Sequence, residues 1–121
     1  MEKSKNYSNL IVWQKVHNLV LDIYRMMKEF PNEEMYGLTS QLKRAAISIP
    51  ANIAEGFGRE GKKDKLRFYN IATGSLNEGD YYLLFSNDLG YMKTTEIKDK
   101  IEEIGGMMKS YIKTIRANIN Y

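Results

Sequence analysis

The chain has 121 residues, a formal net charge of +3, two prolines and no cysteine. That length supports one domain with one core, and the missing thiols exclude a disulfide framework and thiolate chemistry. The polar start Met-Glu-Lys-Ser-Lys-Asn-Tyr has no apolar signal core, and no apolar run reaches the roughly 20 residues of a membrane span, so the expectation is a cytoplasmic chain with no membrane partner.

Abundant Leu, Ile, Met, Lys and Glu without β-type alternation predict an all-α chain. Residues 1–9 read as a short flexible arm, and residues 10–121 as a single bundle domain. Leu10, Trp13, Val16, Leu19, Val20, Ile23, Tyr24 and Met27 trace a first amphipathic helix. It should stop near Glu29, because Pro31 disfavours helical backbone at Phe30. Asn32-Glu33-Glu34 supplies a turn or cap whose charge suits a helix start, and Gly37 is either a loop residue or part of the next first turn.

The second helix holds the run from Gln41 to Arg59. Leu42, Ala45, Ala46, Ile49, Ile53 and Phe57 mark its core face, while Ile47, Ala51 and Ala54 make its middle apolar almost all round. Such a helix must be covered on every side, which in a small protein implies a second copy of the chain. Pro50 removes one backbone donor and should bend the helix without ending it. Gly56, Gly58 and Gly61 place its end close to Arg59.

The third helix runs from Lys62 to about Asn87. It has one seam of Leu66, Tyr69, Thr73, Leu76 and Leu83 and another of Phe68, Ala72, Ser75, Gly79 and Tyr82. Gly90 can adopt the left-handed conformation of a C-terminal cap. Thr94 or Thr95 caps the last helix, whose stripe is Ile97, Ile101, Ile104, Met108, Tyr111, Ile112, Ile115 and Ile119. Gly105-Gly106 weakens that helix by roughly 2 kcal/mol unless close packing requires it. Four helices with short connections give an up-down-up-down four-helix bundle.

That topology gathers residues 1–16, 52–70 and 105–121 at one end, with eleven Lys or Arg against four acids; the remainder has seven bases and eleven acids. Lys109, Lys113 and Arg116 follow one helix face near a C-terminus, where cations offset the macrodipole by about 0.3–1 kcal/mol each. Lys62, Lys63 and Lys65 occupy a helix N-terminus, where cations are disfavoured, and a polyanion is the simplest reason for them. Arg59 and Arg67 complete the candidate nucleic-acid contacts, RNA or DNA. Such contacts would be largely sequence-independent and sensitive to salt. Tyr7 and Tyr121, near the same end, are candidates to stack on bases. Asn52, Glu55 and Arg59 are one-turn neighbours suited to a structural polar link.

Catalytic patterns are missing. His17 is the single histidine and has no companion at metal-ligand spacing, so it reads as a surface or boundary residue. Glu78 and Asp80 cannot face each other across a site from their helix positions, and Ser48 and Ser75 have no assignable base. Gly56-Phe57-Gly58 follows a helix instead of a strand, so it reads as a helix terminus and not a nucleotide loop. No cofactor or metal is implied.

Several blocks resemble one family. Leu10-Ile11-Val12-Trp13-Gln14-Lys15, Phe30-Pro31-Asn32-Glu33-Glu34-Met35-Tyr36-Gly37-Leu38 and Gln41-Leu42-Lys43-Arg44-Ala45-Ala46 match its opening pattern. Ser48-Ile49-Pro50-Ala51-Asn52-Ile53-Ala54-Glu55-Gly56 with Gly58-Arg59 is the most specific block, continued by Phe68 to Leu76 and Asp88-Leu89-Gly90-Tyr91. From about Leu10 to Met92 the chain resembles the four-helix bundle proteins encoded in intervening sequences of bacterial 23S ribosomal RNA genes. The resemblance implies a ring-like homopentamer. It also implies kinship with the accessory protein of diversity-generating retroelements, a basic pentamer that binds nucleic acid and a reverse transcriptase. Members commonly have Glu-Leu-Glu where this chain has Glu78-Gly79-Asp80, which puts the packing of the third helix in question.

The sequence reading is therefore a non-enzymatic homo-oligomer with a basic end that contacts nucleic acid, its subunit interface formed by Ile47, Ala51, Ala54, Phe68, Ala72 and Tyr82. The alternative is a scaffold or accessory subunit that binds only a partner protein.

Overall fold

A computed structural model describes residues 6–118. Its helices are α1 (Ile11–Met27), α2 (Leu38–Phe57), α3 (Lys62–Asp88) and α4 (Thr95–Ala117). α1 packs on α2 and α4, and α3 packs on the same two; the α2–α3 contact is the most extensive. The result is a four-helix bundle with no strand among the described residues. Residues 1–5, including Lys3 and Lys5, and residues 119–121, including Ile119 and Tyr121, lie outside the described part.

The helix ends follow local chemistry. Where the sequence suggested a loose arm, Tyr7–Asn9 form a 3-10 turn: Asn6 Oδ1 accepts from the Ser8 amide at 2.9 Å, and Gln14 Nε2 donates to the Ser8 carbonyl at 2.9 Å. α1 ends at Met27, two residues before the expected stop, and the backbone tightens there into i to i−3 bonds ending with the Phe30 amide on the Met27 carbonyl. Gly37 flanks the start of α2, while the Glu34 carboxylate faces the Leu38 amide at 3.5 Å and accepts from the Tyr91 hydroxyl at 2.9 Å. One acid thus joins the first loop to the last. α3 stops as expected: Gly90 is left-handed (φ 78°), and the Tyr91 amide reaches back to the Ser86 carbonyl. Thr94 stands at the cap position of α4, but its hydroxyl makes no capping bond.

The core draws most of its residues from the predicted apolar faces and adds Phe30, Leu38 and Met92, while Phe57 and Thr73 stay partly exposed. Val16, Leu19, Ile23, Leu42, Ile49, Ile53, Leu76, Leu83 and Ile104 are all at most 3% exposed. Their burial, at roughly 25 cal/mol per Å² of apolar surface, is the dominant favourable term. Tyr69 sits among them with its ring edge-on to Tyr111 at 5.3 Å, and burial, then the adjacent Tyr111 phenol, pushes its pKa well above the usual tyrosine value. Pro50 lies inside α2, where the helix continues through it.

Candidate nucleic-acid interface

The turn between α2 and α3 carries five of the predicted cations. Arg59 pairs with Glu55 one helical turn earlier and approaches Asp64 at 3.6 Å. Arg67 grips the same Asp64 through Nε at 3.2 Å and Nη2 at 3.0 Å. Both guanidiniums lie over the Phe68 ring, at 4.7 and 4.5 Å from its centroid, so the ring holds two cations whose charge is formally matched by two acids. The expected Asn52 link to this group is not formed. Asn52 turns instead to the Ser48 carbonyl and hydroxyl, and Ser48 Oγ meets Ser75 Oγ at 2.8 Å.

The lysines here have a different origin from the one their helix position suggested. Lys62 Nζ donates to the Asn118 carbonyl, at the end of α4, at 2.8 Å. Lys65 Nζ donates to the Phe57 carbonyl, at the end of α2, at 3.0 Å, with the Phe57 ring 5.5 Å away. Antiparallel packing has placed two helix C-termini beside the N-terminus of α3, and each lysine satisfies a terminal carbonyl of a neighbour. The cations are held by the protein's own backbone, so the argument that Lys62 and Lys65 require an external anion fails. Burial pulls the Lys65 pKa below the usual lysine value. Lys63 is exposed in the same turn.

On α4 the picture is simpler. Lys109, Lys113 and Arg116 are exposed, and no carboxylate among the described residues pairs with them. The Lys62 bond to Asn118 places this ridge next to the start of α3. The structure therefore brings α4's cations and the α2–α3 turn to one end of the molecule.

The six predicted interface residues divide. Ile47 is half exposed (50%) and Ala51 exposed, both on the outer side of α2; Ala54 is partly covered. Phe68 is partly covered beneath its arginines, and Tyr82 is half-buried with its hydroxyl donating to Glu78, which also pairs with Arg44. Ala72 is a correction: it is fully buried in its own chain (0%). α3 is rotated so that Tyr69, Ala72, Leu76, Gly79 and Leu83 form the inward row, and Ala72 belongs to the core. Exposed apolar side chains on α3 fall on neither seam: Ile71 and Leu84, which the sequence reading missed, and Tyr81 and Phe85, helix aromatics of the kind that anchor a core or an interface. The only sequence signal of Ile71 and Leu84 was bulk at positions a solvated helix face leaves polar.

Among the described residues no cluster of three or more His, Asp or Glu is placed to hold a metal, and no helix is long and apolar enough to cross a membrane.

The family model for the 23S rRNA-intervening sequence protein matches residues 8–110. A crystal structure at 1.70 Å of a protein with unknown function from the S23 ribosomal protein family of Bacteroides thetaiotaomicron VPI-5482 is similar, with 27% identity and a TM-score of 0.78. The match covers 85% of this chain and 99% of that one. No curated protein matches the chain.

Proposed function

Because the chain belongs to the 23S rRNA-intervening sequence protein family, we propose that it is a non-enzymatic homo-oligomeric bundle, a ring-like pentamer, whose basic end contacts RNA or other nucleic acid. The observation that carries this reading is the ridge of Lys109, Lys113 and Arg116, exposed and without a carboxylate partner among the described residues. Like charges one helical turn apart repel, and the carbonyl end of α4 offsets only part of that. A phosphate backbone would offset the rest, and symmetry would repeat the ridge around the assembly. Arg59 and Arg67 can add forked phosphate contacts by exchanging their bonds to Glu55 and Asp64. Lys62, Lys63 and Lys65 contribute to the field of this end.

Charge reversal tests the reading. Lys109→Glu with Lys113→Glu should leave the oligomer mass unchanged by light scattering while weakening retention of single-stranded RNA on filters. The slope of log affinity against log salt should flatten by roughly 0.7 for each lost phosphate contact. Equal retention at every salt concentration overturns it. A protein-only scaffold is the second reading, favoured by the exposed Tyr81, Leu84, Phe85 and Leu89 on and just beyond α3. It predicts a purified assembly with a protein-like ratio of absorbance at 260 and 280 nm and no RNA retention.

A further inference from the structure

Tyr7, Trp13 and His17 form a ladder of rings that the basic end alone does not account for. Trp13 and His17, one helical turn apart on α1, stack nearly parallel with centroids 5.0 Å apart and planes inclined by 7°. Tyr7 meets Trp13 edge-on at 5.0 Å. The 3-10 turn that carries Tyr7 is itself fastened by the Asn6–Ser8 and Gln14–Ser8 bonds, so the ladder is preorganised. His17, its last ring, is exposed and has neither a hydrogen bond nor an ion pair with any described residue.

Its position in the fold ties it to the charged end. Val12, the residue before Trp13, lines a small apolar pocket with Ile53, Tyr69 and Ile112. These lie on α2, α3 and α4, in the stretches of those helices that share the charged end with the start of α1. Trp13 is itself half-buried, and the two outer rings, Tyr7 and His17, are exposed. Such a stack in a chain with a cationic end is an arrangement that can receive unpaired bases, since every base has a π-face and a flexible strand can turn one outward. A duplex keeps its bases stacked and paired inside, where an external ring does not reach them. We propose that the Tyr7–Trp13–His17 ladder is a stacking platform for a nucleobase, so that the ligand class of the basic end is single-stranded nucleic acid and not duplex. This rests on the nucleic-acid reading above.

Trp13 is the single tryptophan of the chain, so its emission reports the platform directly. The full chain is titrated with a short oligouridine, an oligothymidine and a duplex of equal length. Both single strands should quench the indole, and the duplex should not. His17→Ala, an exposed position that leaves the core intact, should weaken single-strand binding roughly ten-fold without altering its salt slope. If single strands bind, lose affinity on charge reversal of α4, yet neither quench Trp13 nor respond to His17→Ala, the platform is overturned and the basic-end reading stands. Equal or tighter duplex binding overturns it as well. If no probe binds at low salt, both proposals fall together.

Discussion

Gly56 and Gly79 are both buried, on the two helices that pack most extensively, and they make opposite demands. A Cβ on Gly56 would lie 2.9 Å from Tyr69 Cε1 and 3.1 Å from Phe68 Cβ, closer than van der Waals contact permits. Neither ring position can retreat freely, because Tyr69 is in the core and Phe68 is covered by two arginines. Gly56→Ala should therefore cost about 1–3 kcal/mol. At Gly79 an added Cβ meets nothing within 4 Å, so the departure from the family's leucine leaves spare room and not a tight fit. Gly79→Ala should stabilise the bundle by up to about 1 kcal/mol through helix propensity. Urea unfolding midpoints of the two variants check this, and shifts of the same sign would contradict it. Gly105 and Gly106 resemble Gly79: a Cβ would touch only Leu76 at 3.8 Å in the first case and nothing in the second, so packing does not require either.

For the helices as elements, the main lesson is that each one's end is completed by another. Lys65→Met keeps an apolar stem beside Phe57 and removes the ammonium that the Phe57 carbonyl accepts from; a loss of about 0.5–1.5 kcal/mol is expected in urea unfolding. Lys113→Met, exposed and unpaired among the described residues, should stay within about 0.5 kcal/mol. Equal effects would remove the capping role. This is also where sequence reasoning found its boundary. The four helices were readable because Pro31, Gly58, Gly61 and Gly90 punctuate long 3.6-residue patterns, and local chemistry decides such stops. Which carbonyl end stands beside which lysine depends on packing, so Lys62 and Lys65 looked misplaced on α3 until α2 and α4 were set against it. Ala72 failed for a related reason. Two seams on α3 were legible, but a rotation of the helix decides which small residue faces the core.

At the scale of the whole molecule, nine of the sixteen Lys and Arg among the described residues lie in the segments of one end, and most acids lie elsewhere, so the imbalance comes as much from missing acids as from gathered bases. The candidate site was readable as a charge pattern, whereas its pairing was not: Asp64 serving both arginines, and the ring ladder on α1, arise from side chains meeting in space. Assembly remains a proposal with a direct check. Ile47 is half exposed on the outer side of α2, so Ile47→Glu should leave the monomer folded by circular dichroism while light scattering falls to the mass of one chain. An unchanged mass would move the interface elsewhere. The bond from Lys62 to Asn118 has one more consequence. The carbonyl takes one of three N–H donors on that ammonium, so a phosphate can be bound by another while the end of α4 stays held. Occupancy of the tip and closure of the last helix are then compatible uses of one side chain, which would tie a bound anion to the carbonyl end of α4.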